Sequence, residues 1–225
     1  MPPPPRPRLV LASASPSRLT MLRTAGFDPE VIPSRVDEDG VGGLSPADTV
    51  RTLAERKAGA VADRLAAESV TDTARLTPPS MAGSRDAVPR AVVLGCDSLL
   101  AIDGQIRGKP ATIDEARTWW LDQRGKLGTL VTGHCVVTVP AGRRAANVAQ
   151  THVRFGEPTD AEVEAYLATG EPLHVAGAAT IDGYGAPFVD RIDGDHGTVL
   201  GLSLPLLRRL LADLGIAITD LWGRP

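Results

Sequence analysis

The alternation of apolar and polar positions predicts short strands and helices in the first part of the chain. An apolar run opens it, and two Ser-Pro pairs then mark helix starts, because serine caps a helix N-terminus and proline tolerates its first position. The predicted elements are a strand over 8–13, a helix over 16–25, a short strand over 29–33 and a helix over 46–65. The stretch 66–90 is rich in Ala, Ser, Thr and Pro without a clear period, so we predict a surface insertion there.

Longer apolar runs in the second half predict the centre of a sheet. Asp97 directly follows a buried strand over 91–96, so we expect it at that strand's carboxyl end, before a hairpin at Asp103 and Gly104. Two capping boxes, Thr112 with Glu115 and Thr159 with Glu162, predict helices. The remaining predicted elements are strands over 129–139 and 145–155 joined by a turn at Gly142, strands over 177–181 and 187–192, and an amphipathic helix over 203–214.

The order of these elements predicts an α/β fold. Strands and helices alternate irregularly, which favours a mixed sheet flanked by helices over a strictly doubly wound one. With 43% hydrophobic residues the chain can bury a sizeable core. We treat residues 1–225 as one domain with a proline-rich leader over 1–7, expected to be disordered or polyproline-like, and the insertion over 66–90.

Charge and composition exclude several classes of partner. A net charge of -3 and a pI of about 5.8 argue against a broad basic surface for nucleic acid or an anionic membrane. No apolar run reaches the roughly 18 residues of a spanning helix, and the N-terminus lacks the apolar core of a signal peptide. We therefore expect a cytoplasmic protein with no nucleic-acid or membrane partner. Cys96 and Cys135 are expected to be reduced and inside strands.

Lysine is rare in this chain. Of its 24 Lys and Arg residues, only Lys57, Lys109 and Lys126 are lysines. Two explanations remain open. One is a biased amino-acid composition, and the other is a need at these sites for a compact point charge, which an arginine fork does not reproduce.

The loop over 13–18 carries the first candidate chemistry. A helix N-terminus offers unpaired N–H groups and a positive dipole end, and the hydroxyls of Ser13, Ser15 and Ser17 and the guanidinium of Arg18 lie beside it. This combination is typical of a phosphate-binding site, which we call the phosphate seat. A good helix cap explains the same residues, so both interpretations stay open at this point.

Asp97 and Lys109 corroborate the phosphate interpretation. The predicted hairpin folds them toward each other, and a carboxylate at a strand end can orient a divalent cation or polarise a water. A neighbouring lysine can neutralise charge on phosphoryl oxygens. A turn aspartate and a solvated lysine remain the plain alternative.

Other common catalytic motifs are absent from the sequence. It contains no G-x-x-x-x-G-K-[ST], no G-x-G-x-x-G after a strand, no H-E-x-x-H and no paired C-x-x-C. The histidines lack ligand spacing and are expected at the surface or satisfied in the core: His134, His152, His174 and His196.

Taken together, the motifs closely resemble those of the Maf family of nucleotide pyrophosphatases. They are 11–18 (LASASPSR), Glu38, 54–58 (AERKA), 95–98 (GCDS), 108–110 (GKP), 125–126 (GK), 131–133 (VTG), 176–178 (AGA), 194–196 (GDH) and 199–202 (VLGL). The resemblance covers nearly the whole chain except the leader and the insertion. It implies a fold like that of the inosine triphosphate pyrophosphatases, with an elongated mixed sheet, two lobes and a central cleft.

The resemblance also implies an activity and roles for residues. The activity is hydrolysis of nucleoside triphosphates, noncanonical or pyrimidine ones included, to monophosphate and pyrophosphate by a homodimer that uses Mg²⁺ or Mn²⁺. Asp97 would accept the proton of the attacking water, Lys109 and Glu38 would assist, and Asp97 and Glu38 would hold the metal. The residues expected to bind phosphate are Ser13, Ser15, Arg18, Lys57 and Lys126.

Three positions are expected to influence the choice of base. Ser17 stands where the family commonly has Arg or Trp, Asp182 stands where Gln or Glu is usual, and Ser98 follows Asp97. Gly128 is a further departure, since the family often has His there. Two alternatives remain: a nucleotide-binding regulator of cell division without turnover, and a phosphatase that releases orthophosphate.

Overall fold

The computed structural model describes residues 6–73 and 89–223. Its strands are β1 (Arg8–Leu11), β2 (Glu30–Val31), β3 (Ala91–Ile102), β4 (Gln105–Arg107), β5 (Leu127–Val139), β6 (Arg144–Phe155) and β7 (Val189–Asp193). Its helices are α1 (Pro16–Thr24), α2 (Pro46–Thr73), α3 (Ile113–Gln123), α4 (Asp160–Leu167), α5 (His196–Leu200) and α6 (Leu204–Asp213). None of these helices is long and apolar enough to cross a membrane. The predicted α/β fold with a mixed sheet is confirmed.

A gap in the sheet beside β3 determines where a cleft can form. The strands run in the order β2-β1-β3-β5-β6-β7, with β1 parallel to both of its neighbours and the later pairs antiparallel. One edge of β3 pairs with β5 over almost its whole length. On the other edge, 91–94 pair with β1 and 100–102 pair with β4. Residues 95–99 have no strand partner on that edge, and Asp97 lies at the centre of this gap.

The position of Asp97 within its strand differs from the prediction. We expected the strand to end before it, but β3 continues to Ile102, with Asp97 opposite Gly133 in β5. The prediction is wrong because the polar pair Asp97-Ser98 has the composition of a strand end but lies inside a paired strand. Antiparallel pairing with a long partner carries the strand through it.

Hydrophobic cores lie on both sides of this gap. In one lobe, α6 packs through Leu207 and Leu211 on one sheet face, and α2 packs through Ala54 and Ala58 on the other. In the second lobe, α3 and α4 cover the sheet around Trp120, which packs edge-to-face with its aromatic neighbours at centroid distances of 5.6 to 5.8 Å. The two lobes thus share the long strands and separate at the gap.

Several predicted boundaries need correction. Helix α2 continues beyond Leu65 to Thr73, so the start of the predicted insertion over 66–90 is helical, while 74–88 and 1–5 lie outside the described residues. The predicted strand over 177–181 is wrong, because Gly177 and Ala178 adopt left-handed backbone angles, with φ of 65° and 56°, within a short 3-10 turn. The short helix α5 was not predicted. Three predictions are confirmed: the Thr159 capping box, the hairpin at Asp103 and the amphipathic helix α6. The bounds of α6 differ from the predicted ones by one residue at each end.

Glycine lets α2 approach the sheet next to Asp97. A Cβ on Gly95 would lie 2.7 Å from the backbone nitrogen of Ala58, whereas a Cβ on Gly59, in the same helix, meets nothing within 4 Å. We expect Gly95→Ala to lower the free energy of unfolding by about 1–3 kcal/mol through overpacking. Gly59→Ala is expected to raise it by about 0.5–1 kcal/mol, because alanine favours a helix interior. Denaturant unfolding measures both, and equal effects would contradict the close packing.

Candidate active site

A cleft of about 730 Å³ opens along the gap in the sheet edge. Its walls come from the β1–α1 loop, the segment over 33–38, one face of α2, the middle of β3, the residues after β4 and the segment before α6. The predicted site residues that line it are Ser13, Ser15, Ser17, Arg18, Glu38, Lys57, Asp97, Ser98 and Lys109.

Lys57 and Asp97 form a nearly buried ion pair at the cleft floor. The Lys57 Nζ lies 2.5 Å from Asp97 Oδ1 and 2.7 Å from Glu38 Oε1. The side chains of Lys57 and Asp97 are only 11% and 14% exposed, whereas that of Glu38 is 60% exposed. Burial raises the pKa of the Asp97 carboxyl above its ordinary value, and the charge of Lys57 opposes that rise. Asp97 is therefore a stronger base than a solvated aspartate.

Arg18 organises the phosphate-seat loop. Its Nη1 donates to Ser13 Oγ at 3.0 Å, its Nη2 to Ser98 Oγ at 3.0 Å and its Nε to the Gly201 carbonyl at 2.8 Å. The Ser15 hydroxyl accepts the backbone N–H of Arg18, which makes it the N-cap of α1. The cap and the phosphate seat are thus compatible, because the cap sets the helix N-terminus toward the cleft.

Lys109 adds a further cation to the same cleft, which Arg18, Arg35 and Lys57 also line. Its pKa is lowered by partial burial and then by the nearby positive charges of Arg18 and Lys57. Cations that repel one another at one cleft favour an anionic ligand, since its charge relieves the repulsion.

A chain of hydroxyl groups connects this cleft to the start of α5. Thr132 Oγ1 donates to the Thr198 carbonyl at 2.8 Å, so its single proton is used there. Ser98 Oγ, 3.0 Å from Thr132 Oγ1, must then be the donor in that contact and accept from Arg18. Thr132 is fully buried and carries no role in the sequence analysis, although its VTG motif was a signal for it.

His134 is held by two buried hydrogen bonds. Its Nδ1 lies 3.1 Å from the Thr132 carbonyl, and its Nε2 accepts the Ser203 backbone N–H at 2.8 Å. These partners require the neutral ring with its proton on Nδ1, because a proton on Nε2 would face another donor. The expectation of a satisfied core histidine is confirmed for His134.

The buried ring of His134 predicts a pH dependence of stability. Burial, then the charge of Arg18, lowers its pKa from 6.5 to about 4. Between these two pH values the unfolded chain binds a proton that the folded chain does not. The free energy of unfolding is therefore at its full value above a pH of about 6.5 and falls by about 3 kcal/mol as the pH drops toward 4. Unfolding at several pH values should show this loss reduced in His134→Gln and retained in His196→Gln, whose ring is exposed. The same loss in both variants would contradict this origin.

Two predicted site residues lie elsewhere. Lys126 is outside the cleft, where its Nζ pairs with Asp103 at 2.8 Å and Asp122 at 2.7 Å. Asp182 is exposed and does not line the cleft, but its carboxylate accepts the hydroxyl of Thr180, which does. The structure thus links Asp182 to the cleft indirectly and gives Lys126 a place in a surface ion-pair network.

The two cysteines are poor nucleophiles in this fold. Both are free and buried in β3 and β5, as expected. Burial raises the pKa of Cys96 to about 11 and that of Cys135 to about 12, so neither forms a thiolate near neutral pH.

Comparisons with known proteins find one family and several similar proteins that share one name. The model of the family described as Maf-like protein matches residues 8–214. A protein of Streptomyces coelicolor named nucleoside triphosphate pyrophosphatase is 55% identical over 223 residues, which cover 99% of this chain and 98% of that protein. Proteins of the same name are 52% identical in Streptomyces avermitilis, covering 97% of this chain and 96% of that protein, and 51% identical in Salinispora tropica, covering 96% and 88%.

Proposed function

Because this chain belongs to the family of Maf-like proteins, we propose that it is a nucleoside triphosphate pyrophosphatase whose active site is the cleft beside β3. It hydrolyses a nucleoside triphosphate to the monophosphate and pyrophosphate. The observation that carries this proposal is the Lys57–Asp97 pair, a carboxylate base held 2.5 Å from a cation at the floor of a cationic cleft.

The triphosphate is proposed to lie across Arg18, Lys57 and Lys109, three of the cations that line the cleft. The N-terminus of α1 and the guanidinium of Arg18 bind phosphate oxygens at one wall, together with Ser13 and Ser15. Lys57 and Lys109 neutralise the charge that develops on the leaving pyrophosphate. Lys126 lies outside this cleft and is left out of the proposed substrate contacts.

Asp97 is proposed as the general base. It accepts a proton from a water whose oxygen attacks the α-phosphorus in line with the leaving group. The new P–O bond forms as the bond from the α-phosphorus to the α–β bridging oxygen breaks, and that oxygen leaves with pyrophosphate. The raised pKa of Asp97 brings its basicity closer to that of a catalyst working at neutral pH.

The carboxylates of Asp97 and Glu38 have the chemistry to hold a divalent cation. Among residues 6–73 and 89–223, no group of three or more His, Cys, Asp or Glu side chains could hold a metal alone. Asp97 and Glu38 both lie within 2.7 Å of the Lys57 ammonium, so they share one small space. Mg²⁺ typically binds one or two carboxylates and completes its shell with phosphate oxygens and water. When bound there by Asp97 and Glu38, Mg²⁺ or Mn²⁺ would supply charge neutralisation of the phosphates.

The choice of base is proposed to depend on three positions near the cleft. Ser17 and Ser98 line it, and Ser17 has a shorter side chain than the Arg or Trp that is common at its position in the family. Asp182, held by Thr180, can only accept hydrogen bonds when ionised, which suits an imino and amino edge of a base. Enlarging Ser17 and replacing Asp182 with Gln should change the ranking of nucleotides.

A panel of canonical and modified triphosphates tests the proposed activity. With Mg²⁺ or Mn²⁺ present, the protein should release pyrophosphate and a monophosphate from at least one of them. Release of orthophosphate would indicate a phosphatase instead. Binding of a nucleotide without turnover across the whole panel would favour a regulatory role.

The family resemblance supports two further proposals, a homodimer and a cytoplasmic location. Two free, buried thiols are consistent with a reducing compartment. Light scattering behind size exclusion tests the first, and fractionation of cells that produce the protein tests the second.

A further inference from the structure

We infer that Gln123 is a positioning residue that holds Lys109 in the cleft, a role that rests on the proposed function. Gln123 is the last residue of α3, and its side chain is 0% exposed. It is not among the residues that line the cleft. Any effect of Gln123 on catalysis must therefore pass through the groups that its amide binds.

Both ends of the Gln123 amide bind segments next to Lys109. Its Oε1 accepts from Arg107 Nη1 at 3.2 Å, and its Nε2 donates to the Gly177 carbonyl at 3.1 Å. The Gly177 N–H in turn donates to the Gly108 carbonyl at 2.9 Å. These three bonds join the two residues before Lys109 to one buried side chain. The amide orientation follows from its partners, because arginine only donates and a carbonyl only accepts.

The turn over 176–178 depends on α3 for its conformation. Ala178 has a left-handed φ of 56°, which is unfavourable for a residue with a Cβ. The Trp120 indole donates to the Ala178 carbonyl at 2.8 Å, one turn of helix away from Gln123. Helix α3 thus holds the Gly177 and Ala178 carbonyls of the turn that supports Gly108.

Lys109 depends on this support, because the carboxylates of Glu38 and Asp97 attract its ammonium without direct contact. Within 6–73 and 89–223, the structure shows no hydrogen bond or salt bridge to its ammonium. Its place in the cleft is therefore determined by the backbone of 107–109. A displacement of about 1 Å at a reacting group can cost up to about a hundred-fold in rate.

A double-mutant cycle between Gln123 and Lys109 tests this role. Gln123→Met keeps the side-chain volume and removes both hydrogen bonds. In single-turnover pyrophosphate release with enzyme in excess, it should lower kcat/KM about ten- to hundred-fold in the wild-type background. In a Lys109→Met background the same change should cost less than about two-fold, because the group being positioned is absent.

The chain offers a matched control in Gln105. This exposed side chain also accepts from Arg107, at 3.1 Å, but has no bond to the turn over 176–178. Gln105→Met is expected to leave kcat/KM within about two-fold of wild type. A merely structural role of Gln123 would instead lower the thermal midpoint and leave the activity of the folded variant unchanged.

The outcomes separate the two proposals. Equal fold-losses from Gln123→Met in both backgrounds, or an unchanged rate in the folded single variant, would overturn the positioning role. If Gln123→Met does not fold, Gln123→Glu, which keeps the bond to Arg107 and loses the one to Gly177, enters the same cycle. If the wild-type protein releases no pyrophosphate, the proposed function is contradicted instead. The cycle is then read from the Kd for inorganic pyrophosphate, with non-additivity supporting the role and additivity overturning it.

Discussion

Asp97→Asn is expected to lower kcat by about two to four orders of magnitude, because it removes the base that activates water. Its effect on stability should have the opposite sign. The folded-state pKa of Asp97 lies above that of the unfolded chain, so its ionisation costs stability, and that cost appears as the pH rises through the folded value. The neutral amide avoids it. Lys57 keeps Glu38 Oε1 at 2.7 Å as a partner, so at neutral pH the variant should unfold at the same or higher denaturant concentration than wild type.

Steady-state kinetics and denaturant unfolding on the same preparations measure both effects. Asp213→Asn, at an exposed position at the end of α6, is the matched control and should change neither. Pyrophosphate release that survives Asp97→Asn would remove Asp97 from the catalytic role.

Lys57→Met is expected to lower kcat/KM by about two to three orders of magnitude, comparable to the loss of one donor at a developing charge. Here stability should fall as well, by about 3 kcal/mol, because the nearly buried Asp97 loses its partner. The two halves of one ion pair thus differ in their effect on folding. We expect the fold to tolerate replacement of the carboxylate and to lose stability on replacement of the ammonium.

Replacing Lys57 with arginine also tests whether the few lysines of this chain are needed as compact point charges. The Nζ fits between two carboxylate oxygens at 2.5 and 2.7 Å, a space suited to a compact charge. Lys57→Arg should therefore recover little of the activity. Lys126→Arg, at the exposed surface pair, should be close to wild type in kinetics and stability. Full activity of Lys57→Arg would leave biased composition as the explanation.

Local signals in the sequence were sufficient for much of the fold. Ser15 with Pro16 and Thr159 with Glu162 predicted helix starts because caps act within one turn of the chain. The long apolar runs predicted β5 and β6, and the turn at Gly142 predicted their pairing.

Errors arose where partners distant in sequence determine the structure. β3 continues past Asp97 because β5 pairs with it, which no local pattern near Asp97 reveals. The small apolar residues around Gly177 predicted a strand. Hydrogen bonds from α3 instead hold this segment in a turn with left-handed backbone angles.

The sequence analysis named several of the residues that line the cleft, although its element boundaries near them needed correction. Ser13, Arg18, Lys57, Asp97 and Lys109 come from separate segments, and the structure places them around one cleft. The residues behind them were missed, because the sequence does not show which buried polar side chain meets which backbone group. Examples are Gln123 and Thr132, both 0% exposed.

The most direct test of the central claim is hydrolysis in water labelled with oxygen-18, followed by mass spectrometry of both products. Attack at the α-phosphorus predicts one labelled oxygen in the nucleoside monophosphate and none in pyrophosphate. Label in pyrophosphate, or orthophosphate as the labelled product, would contradict it.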